Sequence, residues 1–147
     1  MDRSFIEENK RARERLRSLV AALTDEELSL PLGDDWTVAV ALAHLAFWDQ
    51  RSLVLMQKWK RHGVGPSPID IDVTNDSLLP IWRAIPSRAA AELAVSCAEA
   101  IDRELEEASQ DLIEAIDSLG EKFRLYRSIH RNTHLDEIEA VLGKSSK

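Results

Sequence analysis

The sequence predicts an all-α protein: a four-helix bundle with short extra helices in the connections. Three observations carry that expectation. Apolar residues recur at three- and four-residue spacing along most of the chain. Glycine and proline are few, 5 of each, and most cluster around Pro31-Leu32-Gly33 and between Gly63 and Pro68, so they separate long helical segments. No alternating run is long enough to build a sheet, and there is no internal repeat. Four main helices joined in this way require at least one long crossover.

The first long helix is expected over residues 2–23, with Phe5, Ala12, Leu16, Leu19 and Leu23 on one face and Asn9 as a polar intruder. Thr24-Asp25-Glu26-Glu27 has the form of a capping box and opens one short helical turn. Thr37 is a suitable N-cap for the second long helix, which runs to residue 61 with Gly63 as its stop. Residues 66–72 read as an extended linker, and Asn75 caps a short segment through Trp82. The third long helix spans residues 86–108, with Ala94, Cys97, Ala98, Ile101 and Leu105 inward. Residues 109–119 form a short amphipathic helix ending at Gly120, and the last long helix covers 123–142, stopping before Gly143.

At 147 residues the chain has the size of one domain and can bury a real core. Hydrophobic residues make up 44% and charged residues 31%, a globular balance that argues against disorder. A net charge of −7 disfavours nucleic acid and anionic membranes as partners. The basic run Lys10, Arg11, Arg13, Arg15 and Arg17 is interleaved with Glu7, Glu8 and Glu14, which suits a solvated helix face. The single cysteine, Cys97, allows no intramolecular disulfide and suits a reducing compartment. The opening MDRSFIEENK lacks the apolar core of a secretory signal, and the apolar stretch 38–48 is too short to span a bilayer. A soluble, cytoplasmic protein acting on a small molecule is expected.

The histidines carry the chemistry. At about 100° per residue, His44 falls within about 60° of Thr37, Ala41, Trp48 and Leu55, inside the apolar stripe of its helix. An unpartnered imidazole there would cost roughly 1–3 kcal/mol, so it needs a hydrogen bond or a metal. His130 and His134, four residues apart on the last helix, stack on one face together with Ile138 and Val141. Three core-facing imidazoles on two helices make a ligand set for one divalent ion, zinc or nickel, with positions left open. The plain alternative is three hydrogen-bonded core histidines. His62, beside Gly63, meets the negative end of its helix and has no assigned chemistry.

Other chemistries lack their residues. There is no Glu-x-x-His for a carboxylate-bridged di-iron bundle, no HExxH and no Gly-rich phosphate loop. Cys97 lies on an alanine-rich face and reads as a small core residue rather than a nucleophile. Trp36, Trp48, Trp59 and Trp82 read as core or pocket wall, with Trp48, one turn past His44, placed to line a metal cavity.

Asp35-Trp36-Thr37 leading into Ala43-His44-Leu45-Ala46-Phe47-Trp48-Asp49, followed by His130-x-x-x-His134-Leu135, resembles the DinB-like superfamily of small metal-binding bundles over nearly the whole chain. The resemblance maps the family's three ligands onto His44, His130 and His134. It also implies an up-down-down-up path and a homodimer, for which the first and third long helices would supply the contact. Characterised relatives include thiol-dependent transferases and isomerases, in which a metal activates a low-molecular-weight thiol; others are described as metal-dependent hydrolases or protective proteins. The sequence ends soon after the last helix, without the second domain of the mycothiol-dependent maleylpyruvate isomerases.

Two further residues are candidates for catalysis. Glu137 lies about 20° from His130 and one turn beyond His134, placed as acid/base or as an acceptor behind a ligand. Arg51 lies two turns beyond His44, placed as an anchor for a substrate carboxylate. Alternatively the two pair with each other or turn outward. A fourth ligand from Asp49 or Glu137 would favour a structural metal, and a water there a catalytic one. The expected function is a metal-dependent transferase using a low-molecular-weight thiol, with hydrolysis or non-catalytic small-molecule binding as alternatives.

Overall fold

The computed structural model describes residues 2–33 and 35–145. Four long helices dominate: α1 (Phe5–Ala22), α3 (Val38–His62), α5 (Ser87–Glu107) and α7 (Ser128–Ser145). Short helices α2 (Asp25–Leu28), α4 (Ile71–Ala84) and α6 (Gln110–Asp117) fill the connections, with a 3-10 turn at Lys122–Arg124 before α7.

Two apolar clusters set the direction of each long helix. One gathers Leu16 and Val20 of α1, Val38 to Leu45 of α3, Ala91 to Ala98 of α5, and Leu135 and Ile138 of α7. The other gathers Phe5 of α1, Met56 and Trp59 of α3, Ile101 and Leu105 of α5, and Leu125 just before α7. Thus α3 and α5 run parallel, while α1 and α7 run opposite to both. The path is up-down-down-up, and the parallel step from α3 to α5 needs the long crossover that carries α4. A third apolar group, Val40 and Ala43 of α3 with Trp82 of α4 and Ala90 of α5, seats α4 on the flank of α3. With neighbours on every side, the first turns of α3 are buried all round, from Val38 to Ala46.

Local chemistry sets most boundaries. Thr24 and Glu27 form the reciprocal capping box, and Thr37 Oγ1 accepts from Val40 N at the start of α3. Gly63 ends α3 at φ 93, a conformation that favours glycine.

Three expectations need correction. Asn75 does not cap α4: Asp70 does, accepting from Val73 N, so the helix starts earlier and Asn75 lies within it. The last helix begins at Ser128 rather than Phe123, because buried Asn9 takes the backbone groups a continuous helix would have paired. Its Nδ2 donates to Leu125 O at 2.8 Å and its Oδ1 accepts from Ser128 N at 2.9 Å. Nor does Gly143 stop α7, which continues to Ser145; one internal glycine costs only about 1 kcal/mol relative to alanine.

The basic run of α1 is more than a solvated face. Arg13 bonds Asp102 of α5, Arg17 bonds Glu99 of α5, and Arg15 reaches Asp136 and Glu139 of α7. A small antiparallel hairpin, β1 (Pro31–Leu32) with β2 (Trp36–Thr37), turns the chain into α3 and sets the position of Trp36. Among the described residues no helix is long and apolar enough to cross a membrane.

Candidate metal centre

His44 comes from the middle of the all-round-buried part of α3, and His130 and His134 from the first turns of α7. Burial of the first turns of α3 leaves the His44 imidazole facing the histidine face of α7, with Asn75 of α4 also near it. Asn9, by holding Ser128, sets where α7 begins and so where His130 arrives. The three rings stand almost equidistant, with centroids 4.7, 4.7 and 4.9 Å apart. One nitrogen from each lies within 4.8 Å of the others, an arrangement that could hold a metal ion.

The electrostatics suit ligands. Burial first, then the neighbouring His130 and His134, pushes the His44 pKa down to about 2, with Asn75 acting weakly the other way. Burial first, then His134, Arg127 and Arg131, lowers that of His130 to about 3. Both rings are therefore neutral at pH 7, the form that offers a lone pair. His44 Nε2 and His130 Nε2 stand 2.8 Å apart and share one hydrogen, while His44 Nδ1 is buried with no hydrogen-bond partner. Two nitrogens on one tetrahedral zinc stand roughly 3.3 Å apart, so a modest opening of this pair accommodates an ion. A lone-pair triangle with a poorly satisfied ring fits a divalent metal.

Of the other candidates, Glu137 accepts from His134 Nδ1 at 3.3 Å, the tautomer that frees Nε2 toward the cluster. It does not pair with Arg51. Arg51 donates to Ser67 Oγ at 2.9 Å and lines the same cavity as the histidines. Trp48 lines that cavity too, its indole N–H donating to Asn75 Oδ1 at 2.9 Å. Asp49 is not available as a fourth ligand, because both its oxygens accept from buried arginines, Arg127 at 2.9 Å and Arg131 at 3.2 Å. His62 is exposed at the end of α3. Cys97 is half-buried rather than core, its thiol 3.9 Å from Gln50 Oε1 and raised in pKa by burial and then by Asp49.

The cavity has a volume of about 830 Å³. Its walls include Trp36, one of the tryptophans expected as core or pocket wall, and residues the sequence did not single out: Pro66-Ser67-Pro68 of the linker, Arg124 and Arg127. Trp36 lies 4.7 Å from His44 and stacks on His134 at 5.9 Å. Trp82 meets His44 edge-on at 5.2 Å from behind. Trp36 is already marked by the sequence as core or pocket wall; Arg124 and Arg127 fall within the span expected to be the last helix, where a charged side chain ordinarily faces water.

A family model described as the DinB superfamily matches residues 8–140. The chain belongs to the DinB superfamily. The match reaches into all four long helices and includes the three histidines, and the helical bundle agrees with it. No curated protein and no solved structure matches the chain. For this DinB superfamily member, the geometry of its own residues is therefore what bears on function.

Proposed function

We propose that the chain is a metal-dependent transferase acting with a low-molecular-weight thiol, its ion zinc or nickel held by His44, His130 and His134. The observation that carries this reading is the donor set: three imidazoles lining a roomy cavity, with no carboxylate grouped with them among the described residues and Asp49 engaged elsewhere. A divalent ion among three neutral ligands would supply Lewis acidity, lowering the pKa of a bound thiol or water toward neutral. The chain's own groups support the thiol branch. Trp36 and Trp48 give the cavity aromatic walls suited to a soft, partly apolar ligand. Cys97 does not line the cavity and its thiol is held protonated, so the sulfur nucleophile must be brought in from outside. Glu137 orients His134, and Arg51 is placed to anchor an acidic group. Family membership adds the expectation of a homodimer, for which we take α1 and α5 as the contact, and a cytoplasmic setting suits a free thiol.

In such a transfer the thiol proton passes to solvent and the thiolate sulfur bonds to an electrophilic carbon, while chloride leaves as the anion or an epoxide C–O bond opens and its oxygen takes a proton back from solvent. The test uses metal-loaded protein with bacillithiol, mycothiol or glutathione and a chlorinated aromatic or epoxide, beside amides and esters without thiol. Adduct formation that requires both metal and thiol is the expected result. Metal-dependent amide or ester cleavage without thiol would replace the proposal with hydrolysis. No turnover on either panel would favour a small-molecule-binding protein.

A further inference from the structure

The cavity is charged against the sign of the whole chain. The protein carries 26 acidic and 19 basic residues, a net −7. Yet the lining of this cavity contains three arginines, Arg51, Arg124 and Arg127, and one carboxylate, Glu121. These arginines converge from α3, the 3-10 turn and the segment before α7. Arg51 Nη2 donates to Ser67 Oγ at 2.9 Å, and Arg124 Nη2 donates to the carbonyl of the same residue at 2.8 Å. Arg124 also lies over the Phe123 ring at 4.6 Å, and Arg127 Nη1 donates to the Phe123 carbonyl at 3.1 Å.

Their charges are unequally compensated. Arg124 has Glu121, at 2.9 Å. Arg127 has Asp49, which it shares with Arg131. Arg51 has no carboxylate partner among the described residues, only the Ser67 hydroxyl. Burial first, then Arg124 and Arg127, lowers its pKa, although a guanidinium stays charged at neutral pH. The Arg51 charge, set near two other guanidiniums and without a carboxylate of its own, raises the energy of the site, and an anion relieves it.

The mouth is apolar. Ile71, Phe123 and Ile129 line it and are 58%, 38% and 46% exposed, three of the seven large apolar side chains most open to solvent. An apolar group laid against them would remove that surface from water.

We propose that the cavity takes a small amphipathic organic anion, a carboxylate on an apolar body, whose acidic group docks on Arg51 beside Arg124 and Arg127. One uncompensated guanidinium matches one negative charge, and its planar fork suits a carboxylate. The inference names the substrate class for the site proposed above and rests on its being a small-molecule site, but not on the reaction.

The test measures calorimetric binding of 4-phenylbutyrate and its neutral analogue 4-phenylbutanol to the full chain, metal-loaded and chelator-treated. The acid should bind at least about tenfold more tightly than the alcohol in both forms. Raising salt from about 50 to about 500 mM should weaken the acid and leave the alcohol nearly unchanged. Arg51→Met should reduce the acid to the level of the alcohol, whereas Arg51→Lys, which keeps the charge and loses the fork, should retain part of the preference. Equal binding of acid and alcohol to the unmodified protein would overturn the proposal even if the Met variant failed to fold. Acid binding that disappears with the metal but survives Arg51→Met would place the carboxylate on the ion instead, and would also overturn it. No thiol or turnover is involved in these measurements. An acid preference in a protein inactive in every thiol and hydrolysis assay would support the anion site and count against the transferase, and the reverse outcome would separate them the other way.

Discussion

Arg131 of α7 and Asp49 of α3 meet in the dry middle of the bundle, Arg131 fully buried and its Nε 3.2 Å from Asp49 Oδ2. Arg131 is the residue after His130, and Asp49 lies five residues after His44, so the pair joins the two helices at the level of the histidines. Arg131 also forks onto Asp102 of α5 through two bonds of 2.8 Å, and Arg13 of α1 reaches Asp102 at 2.7 Å. All four long helices share this one network. Burial opposes the charge on Arg131, but Asp49 and Asp102 outweigh it and raise its pKa.

Removing one member should cost more than the network contributes. Arg131→Met leaves Asp49 and Asp102 buried with too little positive charge, and should destabilise the fold by about 3–5 kcal/mol in urea denaturation. Replacing Arg131 and Asp102 together with apolar residues of similar size leaves Asp49 paired with Arg127 and Arg13 beside Glu106, and should recover most of that loss. If the double variant is as unstable as the single one, uncompensated charge is not what the single substitution exposes.

Metal content should follow the three-histidine assignment. After dialysis against zinc or nickel, the unmodified chain should retain about one ion per subunit, and His44→Ala, His130→Ala or His134→Ala should retain almost none. His62→Ala should behave like the unmodified protein. Equal metal content in all four variants would remove the site.

The metal-free protein should lose stability with acid in a defined direction. His44 and His130 have pKa values of about 2 and about 3 in the fold, against about 6.5 in an unfolded chain. Below pH 6.5 the unfolded chain therefore binds protons that the folded one refuses. Stability from these neutral rings is fully present above about 6.5 and falls by about 1.4 kcal/mol per pH unit for each, until the folded pKa values are reached. Denaturation midpoints of chelator-treated protein between pH 7.5 and 4.5 should show this slope, flattened in His44→Gln. An identical slope in the variant would contradict the burial argument.

Glu137 stands 3.3 Å from His134 Nδ1, placed to orient that ring as a ligand. Its truncation to Ala should weaken metal affinity by roughly tenfold to a hundredfold in chelator competition, with little change in the unfolding midpoint because the carboxylate is half exposed. Unchanged affinity would leave Glu137 as a surface residue only.

What the sequence made legible was whatever depends on spacing. The stacked pair His130 and His134, the stripe position of His44, and the caps at Thr24 and Thr37 all follow from helical geometry over a few residues. Long-range polar contacts had no such signature. Asn9 looked like an intruder because its partners, Leu125 and Ser128, lie more than a hundred residues away. Arg131 does head the core stripe that continues through Leu135 and Ile138, both fully buried, so its placement was readable in principle. The charge compensation that permits it comes from Asp49 of α3 and Asp102 of α5, and only the fold brings these together. The same holds for Arg51, Arg124 and Ser67, which meet through the linker between α3 and α4.

The tryptophans around the histidines make this protein its own optical gauge. Trp36, Trp82 and Trp48 have ring centres 4.7, 5.2 and 6.4 Å from that of His44, whereas Trp59 belongs to the other apolar cluster, under Arg124. An ion with unpaired electrons seated among the three imidazoles would darken the emission of the surrounding indoles, while closed-shell zinc would not extinguish it in that way. Trp59 would supply a steadier background in either case. Occupancy, and the electronic class of the occupant, would be written in the colour and brightness of the unlabelled protein.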